Sequence, residues 1–186
     1  VARLILFGPP GAGKGTQAAA LSRQLKVPHI STGDIFRSAI AARSDLGLKV
    51  QNYLDEGKLV PDVVVIDMVR DRLSQPDIAE GWILDGFPRT VPQAQALDQL
   101  LSEINQDYSR VLNLQVSEAL LIERLLGRQR KDDTEDVIQE RLRVYRNDTA
   151  PVLAFYEQGT RLVNIDGAAD VEIVTSRIQS AVSGVE

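Results

Sequence analysis

Nine consecutive residues carry the strongest chemical signal in the chain: Gly8-Pro9-Pro10-Gly11-Ala12-Gly13-Lys14-Gly15-Thr16. Glycine lets a backbone curl without Cβ clashes, so successive N–H groups can converge on an anion. Lys14 adds a mobile point charge suited to the β- and γ-phosphates of a nucleotide. The loop follows an apolar run and opens a helical pattern, so a helix N-terminus points its dipole at the same anion. Gly11, Ala12, Gly13, Lys14, Gly15 and Thr16 are therefore the expected phosphate cradle. The common form of this loop places Ser or Thr directly after the lysine. Here Gly15 intervenes before Thr16, which fits kinases of the GKGT type better than GTPases. A glycine-rich turn without a ligand is the bland alternative, and the strand–loop–helix context weighs against it.

Two carboxylates sit just beyond apolar runs. Asp34 lies in Ser31-Thr32-Gly33-Asp34, and Asp85 lies in Asp85-Gly86-Phe87-Pro88-Arg89. Open α/β sheets bind ligands at the C-terminal ends of their strands, so both would face the phosphate loop. Asp85 has the Walker-B layout, in which a carboxylate positions Mg2+ directly or through water. Asp34 has two readings, the same role or the N-cap of a helix over 35–44, and it can fill both.

The rest of the composition narrows the chemistry further. The chain has 16 Arg but 5 Lys, against 16 Asp and 10 Glu, for a net charge of -5. Arginine suits bidentate recognition of phosphate and carboxylate, although surface ion pairs would also account for the excess. An acidic chain lacks the basic footprint of a nucleic-acid binder. With no cysteine and one histidine, no disulfide framework, zinc finger, iron–sulfur site, thiol nucleophile or multi-histidine metal site can be built. A Ser-His-Asp triad would have only His29 to use. Catalysis must rest on carboxylates, Lys, Arg, hydroxyls and backbone amides. His29 reads as a packed or exposed structural residue and Trp82 as a packing one, and the tyrosines are scattered in sequence with no stacking platform.

These residues need elements to hold them. At 186 residues the chain makes one domain, 1–186. Brief apolar runs at 3–8, 28–31, 81–85, 110–116 and 161–165 read as parallel strands covered on both faces. Helical patterns start near 14, 33, 47, 62, 91, 118, 135 and 170. Asp62 is placed to cap 63–74, Thr90 with Pro92 to open 91–105, Ser117 to precede 118–128, and Asp170 to start 171–182. Strands alternating with helices predict an α/β, doubly wound sheet with right-handed crossovers. Three helical patterns between 33 and 75 exceed what one crossover needs, and they predict a helical insertion above the sheet. The polar segment 127–136 reads as a loop between helices. No apolar run is long enough to span a membrane. The first residue is Val1 rather than Met, which leaves a removed transit segment open.

Taken together, the motifs resemble the adenylate kinase family of nucleoside monophosphate kinases over almost the whole chain. The resemblance rests on GPPGAGKGT (8–16), STGDIFR (31–37), GKLVPD (57–62), GWILDGFPRT (81–90) with Gln93, ERLLGR (123–128), and the RKDDTEDVIQERLRVY region. It implies a P-loop fold with a five-stranded parallel core, a monophosphate-binding insertion over 31–60 and a short lid loop over 127–136. It implies reversible Mg2+-dependent transfer from ATP to AMP, giving two ADP by direct in-line attack. By the same resemblance, Arg37 and Arg89 would meet the AMP phosphate. Thr32, Gln93, Gly86 and the stretch Lys58, Leu59, Val60 would surround AMP. Arg124 would flank the ATP adenine, with Ala169 bounding its pocket. Arg124, Arg128, Arg130 and Arg141 would gather at the ATP phosphates and the transferring group, with Arg89, Arg130 and Arg141 also on the acceptor side. Asp132-Asp133 would hold the lid arginines, where a simple solvated acidic pair is the other reading. ATP, AMP and ADP would be the partners and Mg2+ the metal, without zinc, nucleic acid or membrane. A cytoplasmic monomer is the expected form.

The chain departs from long-lid members because Arg128 and Arg130 are separated by one residue. The larger motion is therefore expected in the 33–60 insertion. A pyrimidine monophosphate kinase is the nearest rival, and Thr32 and Gln93 stand where such kinases tend to carry Ala and Asn. A P-loop switch of the GTPase class would need an NKxD guanine reader, and the sequence has none.

Overall fold

The computed structural model describes residues 1–183. Five strands form one sheet: β1 (Ala2–Phe7), β2 (His29–Ser31), β3 (Gly81–Asp85), β4 (Arg110–Gln115) and β5 (Leu162–Asp166). Every pairing is parallel, in the order β2-β3-β1-β4-β5. Each strand lies within a residue or so of its sequence-based range. The helices are α1 (Lys14–Leu25), α2 (Thr32–Ala41), α3 (Asp45–Asp55), α4 (Asp62–Leu73), α5 (Val91–Glu103), α6 (Glu118–Arg128), α7 (Glu135–Val144), α8 (Val152–Glu157) and α9 (Val171–Val182).

The period-2 alternation of β1 sorts the core into two layers. Ile5 and Phe7 face one cluster with Trp82, Leu84 and Val111, covered by Val65 and Met68 of α4, Leu97 and Leu101 of α5, and Val152 and Tyr156 of α8. Leu4 and Leu6 face the other with Ile83 and Leu112, covered by Ala18 and Leu21 of α1, Leu121 of α6, Leu142 of α7 and Ile178 of α9. Both faces of the sheet are thus buried, which is why its strands read as continuous apolar runs. Trp82 is fully buried, as a packing residue should be.

Three helices, α2–α4, lie between β2 and β3, matching the three patterns seen there. Two cap assignments need correction. Ser31, not Asp34, caps α2, its side chain accepting from the Asp34 N–H. Asp62 is the first residue of α4 after Pro61, and its carboxylate instead accepts from Gln93 Nε2 at 2.7 Å. Ser and Thr compete well for cap positions with nearby carboxylates, so a motif with both leaves the choice to packing. Thr90 does cap α5, accepting from the Gln93 N–H. Ser117 and Asp170 occupy N-cap positions without a side-chain cap bond.

The segment after α7 went unassigned in the sequence. It forms a π-helical turn, Tyr145–Thr149, and then α8. The aromatics are scattered in sequence but not in space. Phe7, Tyr108, Tyr145, Phe155 and Tyr156 pack edge-on or tilted, with ring centroids 5.4–6.4 Å apart.

Candidate active site

The loops at the C-terminal ends of the strands enclose a cleft of about 890 Å3. Every candidate residue named from the sequence lines it, from the 11–16 loop through Thr32, Asp34, Arg37, Lys58, Leu59, Val60, Asp85, Gly86, Arg89 and Gln93 to Arg124, Arg128, Arg130, Arg141 and Ala169.

The phosphate loop leaves β1 at Phe7 and enters α1 at Lys14. Gly13 is the N-cap of α1 at φ 97°, in the left-handed region where a side chain would be strained. Lys14 Nζ donates to the carbonyls of Gly8 and Pro9 at 2.9 and 3.0 Å. Burial lowers its ammonium from the ordinary value to about 8. Asp85 opposes that fall, and Arg89, Arg128 and Arg130 add to it.

Asp85 ends β3 and is buried. A Cβ built at Gly15 would stand 3.9 Å from its Oδ2, which places the carboxylate beside the phosphate loop. The same oxygen lies 3.3 Å from His29 Nε2, so His29 reaches the cleft rather than only packing at a strand start.

The opposite wall is built from α2 and the β3–α5 connection. Arg37 donates to Asp34 at 2.5 Å. Burial raises the Asp34 carboxyl, but Arg37, Arg130 and Ser31 outweigh it and hold it below the usual range. Arg89 Nε donates to the Gly86 carbonyl at 2.7 Å. Burial lowers the Arg89 guanidinium against the pull of Asp85, with Arg141 and Arg37 as positive neighbours. At Gly86 (φ 87°) a Cβ would meet Thr32 Oγ1 at 2.6 Å and Arg89 at 3.2 Å, so only glycine permits this approach. Gln93 is buried, and its Oε1 accepts from the Arg89 N–H at 2.8 Å while Nε2 donates to Asp62. One N–H and one lone pair of its amide remain for a ligand.

The third wall is the 129–134 connection between α6 and α7. Here the two readings of Asp132-Asp133 separate. Asp133 accepts from Arg128 through two bonds of 2.9 and 2.6 Å, from the Arg130 N–H at 2.9 Å and from Arg141 at 3.2 Å, and its side chain is 1% exposed. Asp132 pairs with Arg141. Neither is a solvated pair. Burial raises the Asp133 carboxyl, but its bond to Arg128 and its other cationic and N–H neighbours hold it below the usual range. Arg124 sits apart, donating to the carbonyls of Gly167 at 2.9 Å and Ala169 at 3.4 Å and reaching Ala12 O at 3.5 Å.

Sequence reading missed the apolar lining. Phe36 and Val65 come from the insertion side, and Tyr145 and Thr149 come from the unassigned π-turn. Burial pushes the Tyr145 phenol up to about 12, so it stays neutral. Among the described residues no cluster of three or more His, Cys, Asp or Glu could ligate a metal alone, and no helix is long and apolar enough to cross a membrane.

The cleft therefore offers an anion cradle with a lysine, a buried carboxylate, and arginines converging from three walls. A sequence model described as "Adenylate kinase" matches residues 6–161. The chain is 57% identical to an adenylate kinase of Cyanothece sp., covering 98% of this chain and 95% of that protein. It is 51% identical to "Adenylate kinase 1" of Nostoc sp., covering 96% and 97%. It is 52% identical to an adenylate kinase of Corynebacterium glutamicum, covering 96% and 98%.

Proposed function

The chain belongs to the adenylate kinase family and is an ATP–AMP phosphotransferase, and we propose that the cleft performs the transfer with ATP on the phosphate loop and AMP against α2 and Arg89. The observation that carries this reading is electrostatic. Arg89, Arg128 and Arg130 all lie close enough to Lys14 to act on its charge, Arg37 and Arg141 lie close enough to act on that of Arg89, and Asp85 acts on both. A surface ion-pair pattern would spread such charges apart, whereas a transferring phosphoryl group needs them together.

The AMP phosphate is already an anionic nucleophile, so no general base is required. One of its oxygens forms a bond to the γ-phosphorus of ATP. The bond from that phosphorus to the β–γ bridging oxygen breaks, and its electron pair leaves with the first ADP. Arg37 and Arg89 hold the acceptor phosphate in line. Lys14 and the 11–16 amides hold the donor. Arg128, Arg130 and Arg141, braced by Asp133 and Asp132, neutralise the charge spread over the transferring oxygens. Arg124 and the 167–169 loop bound the adenine of ATP, while Thr32, Gln93 and the 58–60 stretch receive AMP.

The donor set also fits a hydrated Mg2+. Asp85 is a buried carboxylate beside the loop, and Thr16 adds an exposed hydroxyl. Mg2+ keeps several waters and needs only one or two carboxylates besides phosphate oxygens. Asp85, with Asp34, would hold it through water, and the ion would neutralise charge on the β- and γ-phosphates. We read the enzyme as a monomer, because one chain supplies every wall of the cleft.

The test is ADP formation from ATP with AMP, GMP, CMP or UMP, and without acceptor. AMP should dominate. ATP loss independent of any monophosphate would point to an ATPase, and a preference for CMP to a pyrimidine kinase. Arg89→Ala should raise KM for AMP more than KM for ATP, and equal rises would remove Arg89 from the acceptor side.

A further inference from the structure

Gln17 is a buried polar side chain that the transfer mechanism does not use. It lies one turn into α1, directly after Thr16, and is 2% exposed. Burying an amide is costly unless it is bonded. Its bonds go to α9: Nε2 donates to the Val171 carbonyl at 3.1 Å, and Oε1 accepts from Thr175 Oγ1 at 2.8 Å. Thr175 Oγ1 also lies 2.8 Å from the Val171 carbonyl, which ties the three groups into one knot.

The knot sits where it can matter. α1 and α9 run side by side, with Ala18 and Leu21 in one apolar cluster with Val174 and Ile178, and with Gln24 receiving Gln179 Nε2 at 2.7 Å near their far ends. Apolar packing is non-directional, so the axial position of α9 is set by its polar ties to α1. Gln17 pins its first residue, Val171, which follows the 167–170 loop directly. From the other side the same loop is held by Arg124, through the carbonyls of Gly167 and Ala169. Asp166 and Arg177 brace only its start, at the Ala168 N–H and the Asp166 carbonyl.

We infer that Gln17 is a positioning residue for the donor base: it sets the 167–170 loop at a defined height above the phosphate loop. The inference rests on the reading of that loop as the adenine pocket. The phosphate-binding helix itself thereby measures the distance from triphosphate to base. Triphosphate binding alone does not need this gauge, but a complete nucleotide does.

The test compares Gln17→Leu, which keeps the volume and removes both polar groups, with Thr175→Val, which loses one bond of the knot. Gln17→Leu should raise KM for ATP about five- to tenfold, the loss expected for a net hydrogen bond or two. Its kcat, its KM for AMP and its inhibition by inorganic tripolyphosphate should stay as in the parent. Thr175→Val should show a smaller rise of the same kind. If tripolyphosphate inhibition weakens in step with KM for ATP, Gln17 acts on the phosphate loop and the inference is overturned. An unchanged KM for ATP in the folded variants overturns it too. Should Gln17→Leu fail to fold, Thr175→Val decides by the same two readings. Ala169→Glu separates the premise. If it leaves KM for ATP unchanged, the pocket reading falls. If it raises KM while both knot variants do not, only the role of Gln17 falls.

Discussion

Lys14 is buried among positive neighbours, an arrangement that the proposed phosphate contact would relieve. Burial lowers its ammonium to about 8, with Arg89, Arg128 and Arg130 adding to the fall. A phosphate anion reverses that environment, so the charge is favoured when the ligand arrives. The sign of the pH dependence follows. In the free protein Lys14 loses its proton as pH rises through about 8, so kcat/KM for ATP should decline above that point, while kcat holds to higher pH because the bound triphosphate restores the ammonium. Stability moves the other way. The unfolded chain binds the proton more tightly, so the folded state gains stability between about 8 and the ordinary lysine value near 10.5. Lys14→Met should therefore lower turnover by about 10²-fold or more without lowering the melting temperature. A variant that melts earlier and keeps its turnover would contradict both parts. The loop itself was legible at this scale, because its chemistry depends on local spacing. The partners of Gln93 and Asp62 were not, since they lie 31 residues apart.

At the scale of elements, the connection from α6 to α7 is a short loop whose shape is set by one buried carboxylate. Asp133 gathers Arg128, Arg141 and the Arg130 N–H, and thereby presents the arginines as a group. Asp133→Asn should cost about 1–3 kcal/mol in urea unfolding, because cations drawn together would lose their common anion. Its kcat should fall more than its KM for either nucleotide rises. A variant of parental stability and kcat would return Asp132-Asp133 to a solvated pair. The carboxyl is held below its usual range, so this stabilisation is complete above the ordinary aspartate value near 3.8 and is lost as pH falls through the lower folded one. The composition alone could not choose between these roles. Asp133 becomes a brace only because α7 returns Arg141 alongside Arg128.

For the molecule as a whole, the sheet and its covering helices form the base of the cleft, while α2 and α3 contribute one wall and the 129–134 loop closes its third side. If the 127–136 connection is the lid we propose, it has little to move. Binding of a bisubstrate analogue should displace 33–60 more than 127–136, which distance measurements between labels on α3, α6 and the sheet would check. A domain-sized swing of 127–136 would show that division of motion to be wrong. What the sequence by itself determined was everything set by short-range rules: the phosphate loop, the five apolar strands, and the residue types able to neutralise a phosphoryl group. These depend on spacing, periodicity and φ preferences that neighbouring residues impose. Only the tertiary structure decided which of 16 arginines leave the surface, which carboxylate caps and which braces, and that Gln17 ties the phosphate helix to α9. Each of those outcomes is a contact between residues distant in the chain, and desolvation and charge pairing take their values only once the fold has brought the groups together.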